Sequence, residues 1–217
     1  MLNLFKNSKL YKGVFHNIYY FCPISSYLSV DKHPFTNKKN VFIYHDLNVE
    51  NLNEVFNTLT EKKERYIEYI ENKKNKTKLT KGAYFEDESE EEEEKVELEY
   101  SICIIDDMAN ELKNNDIQKQ LNKMLIKSRH LNCAYIFTLQ SYYYFPKILR
   151  KQITNITIFK TKNTEEWNSI AKELLNLNLD DSLLLYDYIY DKPYTHLDLD
   201  TLTNKLYKDF NELILTK

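Results

Sequence analysis

Glycine is almost missing from this chain. Its 217 residues contain two, Gly13 and Gly82, which excludes a GxxxxGK[ST] loop whose backbone N–H groups surround a phosphate. The three cysteines, Cys22, Cys103 and Cys133, have no CxxC spacing, and each lies in or beside an apolar run. They read as small buried hydrophobes of a reducing compartment rather than a disulfide framework or a metal site. No stretch of 18 apolar residues occurs and the N-terminus is not patterned as a signal peptide, so a soluble intracellular chain without a membrane partner is expected. A Ser-His-Asp order, an HExxH pair and a glycosidase-type carboxylate pair are all lacking, and the five histidines are scattered.

What is present is a core. A hydrophobic share of 42% with 14% aromatic residues is enough for one domain and argues against general disorder. The bias toward Asn, Lys, Ile and Tyr reflects AT-rich coding and carries no functional weight. The formal charge of −3 conceals an asymmetry: residues 85–99 hold ten acids against Lys95 alone, which leaves +6 on the rest of the chain. A mildly basic body with an acidic insert suits a polyanion, and a charge so dispersed is also common on surfaces that bind nothing.

Unbroken aromatic and β-branched runs predict strands at 16–23, 40–46, 100–106, 133–140 and 156–160. Between them, 46–74 has the spacing of one long amphipathic helix or two short ones, 108–131 that of a helix, and 146–152 a short helix opened by Pro146. Residues 164–177 read as a helix capped by Thr164, "YTHLDLD" as a short strand, and the chain from about Leu202 as a last helix. Residues 72–98 lose periodicity, turn Lys-rich and then Glu-rich, and are expected to form a charged, disordered insertion in a single domain spanning 1–217. Strands alternating with helices require crossover connections, hence an α/β fold with a mainly parallel sheet.

In open α/β sheets ligands bind at the carboxyl ends of the strands. Two predicted strands end there on polar residues, one on Asp106 and Asp107, the other on Gln140 and Ser141. An apolar strand closing on acids has the form of a Walker B element, in which one carboxylate holds Mg2+, directly or through water, and its neighbour polarises the attacking water. A helix cap beginning near Met108 explains the same residues equally well. Gln140 fits a sensor of the γ-phosphate or an ordinary strand-end amide. Arg129 and Arg150 are candidates for reaching a phosphate across a subunit interface, although a solvated arginine is the commoner fate.

The order of these features, "SICIIDDM", a helix ending in "SRHLN", a strand closing on "TLQS", an aromatic loop, "PKILRKQ" and finally "KPYTHLDLD", resembles the poxvirus-type genome-packaging ATPases of large DNA viruses in the FtsK/HerA superfamily. The resemblance covers residues 100–200, and "FHNIYYFCP" and "VFIYHDL" fit earlier strands of that family. It implies a RecA-like P-loop NTPase core and ATP hydrolysis with Mg2+, coupled to moving double-stranded DNA into a capsid. It further implies a homo-oligomeric ring, capsid or portal proteins as partners, and a place in the virion or a cytoplasmic viral factory. Asp106 becomes the Mg2+-associated acid, Asp107 the acid beside the attacking water and Gln140 the polar sensor, with Arg150 preferred to Arg129 as the trans-acting arginine.

One element of that pattern is absent. The family's phosphate-binding loop and helix immediately precede a segment like "MLNLFKNSKLYKGVFHNIYYFCP", so Met1 is expected to fall inside or just after that helix, giving an N-terminally truncated core without hydrolytic activity. A loop encoded upstream, through a misplaced start codon or a split gene, is the favoured explanation, ahead of a truncated gene product and a subunit that kept the fold and lost hydrolysis. A non-catalytic RecA-like scaffold or DNA-binding subunit, or a plasmid or transposon DNA-translocating ATPase, is the alternative function.

Overall fold

The computed structural model describes residues 1–36, 38–80 and 96–214, with backbone alone at 76–80. The chain divides into two compact units, Met1–Leu139 and Gln140–Lys217.

The first unit is built on a sheet of four parallel strands, β1 (Asn17–Phe21), β2 (Val41–Tyr44), β3 (Ser101–Asp106) and β4 (Cys133–Thr138), in the order β2-β1-β3-β4. Every residue of β1 and the first five of β3 are buried, as parallel strands covered on both faces require. Alternation divides them. Ile18, Tyr20, Cys22, Ile102 and Ile104 cluster with Phe5 of α1 (Leu2–Lys6) and with Phe35, while Tyr19, Phe21, Cys103 and Ile105 point to the opposite face. A short α2 (Ile24–Leu28) follows β1 at Pro23.

A long α3 (Val49–Thr80) buries Leu52, Val55, Phe56 and Leu59. It continues to Thr80 where a loop is expected from residue 72, because the lysines and Leu79 of that stretch are good helix formers and no glycine or proline intervenes before Gly82. The expected disorder of the insertion falls on residues 81–95, outside the described residues.

The helix expected over 108–131 is shorter. A 3₁₀ turn (Glu111–Lys113) precedes α4 (Asn115–Ile126). The helix starts at Asn115 because the side chain of Asn114 accepts hydrogen bonds from the backbone N–H groups of Asp116 at 2.8 Å and Ile117 at 3.4 Å, the ordinary action of an N-cap. Its buried stripe, Ile117, Leu121, Met124 and Leu125, packs on the α3 side of the unit. β4 is the last strand of the sheet, and no strand pairs with its other edge among the described residues.

The second unit contains α5 (Lys147–Arg150), β5 (Asn155–Phe159), α6 (Thr164–Ile170), α7 (Leu179–Ile189), β6 (His196–Asp200), β7 (Lys205–Lys208) and β8 (Asn211–Leu213). Its strands form an antiparallel sheet in sequence order, so the strand expected at 156–160 belongs here rather than to the parallel sheet. The helix expected from Leu202 is instead the β7–β8 hairpin, where Leu206 turns into the core and Lys205 outward, a period of two rather than 3.6. Asn163, not Thr164, caps α6 through bonds from the N–H groups of Glu165 and Glu166 at 3.0 and 3.2 Å. A π-helical turn (Ala171–Leu175) extends α6. Trp167, Ile170, Leu185, Ile189, Leu197 and Leu199 centre the core of this unit.

Candidate nucleotide site

Asp106 is the last residue of β3 and stands opposite Thr138 in the β3–β4 register. Five buried residues precede it and fix the strand, so the carboxylate emerges half-buried at the strand's carboxyl end. Two hydroxyls hold it. Tyr20, buried on the adjacent β1, donates from its phenol to Asp106 Oδ2 at 2.6 Å, and the Thr138 hydroxyl donates to Oδ1. Burial first, and then the bond to Asp106, push the Tyr20 phenol far above its ordinary pKa, so it stays a donor at any working pH.

Asp107 is exposed and carries a φ of 59°, a left-handed conformation that aspartate tolerates better than most residues and still at a cost. Its backbone N–H donates to the Thr138 carbonyl at 3.2 Å, and its Oδ2 accepts from Ser26 Oγ at 3.4 Å. Neither aspartate caps α4, since Asn114 does so. The helix-cap explanation of the two acids is therefore removed.

Behind Tyr20 lies His33, 7% exposed, with ring centroids 5.3 Å apart. Its Nδ1 accepts from the Phe35 N–H at 3.3 Å, and its buried Nε2 has no hydrogen-bond partner among the described residues. Burial pushes its pKa down, so the ring is held neutral.

A carboxylate offers about four lone-pair positions, and the two hydroxyls use two of those on Asp106. The rest, with the exposed Asp107, suit a hard cation that keeps most of its water, as Mg2+ does. No group of three or more His, Cys, Asp or Glu side chains able to hold a metal occurs among the described residues. An ion here would rely on one or two carboxylates, water and substrate phosphates.

Gln140 follows Thr138 by two residues and is exposed, at the start of the second unit. The loop after it is pinned by Glu166, 6% exposed, which sequence reasoning missed. Its Oε1 accepts from Ser141 Oγ and from the Tyr142 N–H, both at 2.6 Å, and its Oε2 accepts from Thr161 Oγ1 at 2.9 Å. Three donors satisfy a charge that would be costly to bury alone.

The two arginines have different settings. Arg150 donates from Nε to the Phe145 carbonyl at 3.0 Å, from Nη2 to the Tyr142 carbonyl at 3.1 Å and from Nη1 to Glu173 Oε2 at 2.7 Å. Its guanidinium also lies 4.0 Å from the Tyr142 ring centroid. Burial, opposed by Arg150 and aided by Glu173, pushes the Tyr142 phenol up to about 12. Arg129 is exposed in the turn between α4 and β4, at the amino end of the parallel strands and away from the Asp106 end. One copy of the first unit therefore does not bring Arg129 to the aspartates. Tyr20 and Thr138 also escaped sequence reasoning; Thr138 had a weak signal, as the polar end of an apolar strand.

No family model and no curated protein matches the sequence. Among solved structures, the genome packaging NTPase B204 from Sulfolobus turreted icosahedral virus 2 in complex with ATP-gammaS is similar at a TM-score of 0.55 and 17% identity, over 97% of this chain and 91% of that one. The crystal structure of B204, the DNA-packaging ATPase from Sulfolobus Turreted Icosahedral Virus, is similar at 0.52 and 16%, over 99% and 88%. At such identity the likeness is one of fold, and the chain has the α/β, P-loop NTPase-like fold of these packaging enzymes.

Proposed function

We propose that this chain is a subunit of a viral genome-packaging motor that binds and hydrolyses ATP to move double-stranded DNA into a capsid. More finely, we assign it to the poxvirus type of the FtsK/HerA superfamily, acting as one ATPase domain over 1–217 in a homo-oligomeric ring against capsid or portal proteins, in the virion or a viral factory. The observation that carries the reading is the pair of acids at the carboxyl end of β3, with Asp106 oriented by Tyr20 and Thr138. The likeness to B204, solved with ATP-gammaS and with AMPPCP, supports the nucleotide.

Under this reading Mg2+, when bound with ATP, supplies charge neutralisation at the phosphates. Asp106, its orientation fixed by the two hydroxyls, would hold the ion through its remaining lone pairs. Asp107, set apart from the strand by its left-handed backbone, would orient the attacking water, and Gln140 would serve as the polar sensor of the γ-phosphate. Arg129, exposed and remote from its own aspartates, is the better placed of the two arginines to serve a neighbouring copy. Arg150 would first have to give up its three hydrogen bonds.

The phosphate-binding loop is not encoded in these 217 residues, and that observation favours one second reading, a RecA-like scaffold that joins a ring without hydrolysing ATP. The coding sequence tests the choice: a GxxxxGK[ST] in frame within about 30 codons upstream supports the motor, and its absence favours the scaffold. At the bench, ATP turnover is expected from the extended chain and lost in Asp107→Ala. Turnover by the 217 residues alone, abolished by the same substitution, would overturn the need for that loop.

A further inference from the structure

From Ile117 to Thr164 the sequence carries nine lysines and arginines and no acid, in a protein of formal charge −3. Lys119, Lys123 and Lys127 of this stretch recur every four residues along α4 and its C-cap, so they form one stripe about 12 Å long. All three are exposed, on the side of the helix away from the buried Ile117, Leu121, Met124 and Leu125.

Two of the ammonium groups are pre-ordered. Lys123 Nζ lies 4.4 Å and Lys127 Nζ 5.5 Å from the ring centroid of Phe56 on α3, an arrangement that holds a cation in place without neutralising it. Lys119 pairs with Asp116, the one acid on α4, at 3.1 Å. That pair is solvent-exposed at both ends and easily exchanged for another anion.

We propose that the Lys119, Lys123 and Lys127 stripe is a sequence-independent contact for the phosphate backbone of double-stranded DNA. The inference rests on the packaging reading for its choice of polyanion, and the stripe's chemistry favours a duplex. Each strand of duplex DNA presents one charge per about 3.4 Å of axis, so a stripe of this length spans roughly three to four phosphates of one backbone. Single strands are held by stacking bases on exposed aromatic rings, and α4 carries no aromatic residue. Lysine is a point charge that binds phosphate without reading bases. The helix also leads from the carboxyl end of β3 to the amino end of β4, joining the aspartate end of the sheet to its opposite end.

The test is anisotropy of a labelled duplex with the full chain, without nucleotide, across a salt series. Removing three phosphate contacts in Lys119→Gln/Lys123→Gln/Lys127→Gln is expected to reduce the slope of log affinity against log salt by about 2 to 3. Between 50 and 200 mM salt the unsubstituted chain then loses about 40-fold more affinity than the variant. The triple Lys→Arg variant keeps the original slope. So does Lys9→Gln/Lys12→Gln/Lys39→Gln, which changes net charge equally on exposed lysines elsewhere. Thermal melts establish that each variant is folded.

No duplex binding by the unsubstituted chain overturns the proposal. An unchanged slope in the stripe variant, an equal loss in the control, or tighter binding to single strands than to duplex does so too. The assay does not depend on Asp106 or on ATP, so its failure leaves the nucleotide site standing, and failure of Asp107-dependent turnover leaves the stripe standing.

Discussion

The phenol of Tyr20 and the carboxylate of Asp106, 86 residues apart in sequence, are joined by a 2.6 Å hydrogen bond between neighbouring parallel strands. Because the acceptor is charged, the bond is expected to contribute about 1.5–3 kcal/mol. Tyr20→Phe and Asp106→Asn should each lower the urea midpoint, and a double-mutant cycle should return a coupling above about 0.5 kcal/mol. Strict additivity would mean that Tyr20 does not orient this carboxylate.

The arginines should separate in stability before any partner is added. Arg150→Lys loses the planar fork that reaches two carbonyls and Glu173 at once, and a cost of about 1–3 kcal/mol is expected. Arg129→Ala, at an exposed position, should shift stability by less than about 0.5 kcal/mol. Equal effects in chemical denaturation would contradict the assignment of Arg150 as an internal clamp.

How much of this was legible in the sequence differs by element. β1, β3 and β4 are legible as unbroken apolar runs, and the strand end at Asp106 is legible with them. The start of α4 was misplaced by seven residues, since Asp107 turns left-handed and the cap is Asn114; aspartate and asparagine look alike in such a run. The β7–β8 hairpin looks helical in the sequence because "KLYKDF" is too short for its alternation to outweigh the leucines around it. Tyr20 as a partner of Asp106, and Glu166 as the anchor of the loop after Gln140, depend on contacts between residues far apart in the chain, which periodicity does not encode.

Asp107 provides a backbone test. At φ 59°, Asp107→Gly should be neutral or stabilising by up to about 1 kcal/mol in the absence of ligand, while Asp107→Val, β-branched, should cost about 1–2 kcal/mol or more. Equal melting temperatures for the glycine and valine variants would show that the left-handed turn is not imposed on this residue.

His33 sets a pH dependence. Its folded pKa lies below the ordinary histidine value because it is buried, so the unfolded chain binds the extra proton. Stability is therefore complete above about pH 6.5 and is lost as the pH falls from there toward the folded pKa. Urea midpoints should drop between pH 7.5 and pH 5.5, and the drop should be smaller in His33→Phe, which removes the titrating ring and its unpartnered Nε2. Parallel curves for the two proteins would assign the pH response to other groups.

Glu166 turns part of the second unit into a lever. One carboxylate ties Ser141 and Tyr142 to the first turn of α6 and to Thr161 just before it, and the next residue, Trp167, is wedged in the core with its indole N–H bonded to the Ser182 carbonyl at 2.9 Å. The loop after Gln140 cannot swing by itself while those bonds hold. Displacing it by an ångström means dragging a helix and its tryptophan, so loop and helix move as one piece rather than leaving slack between them.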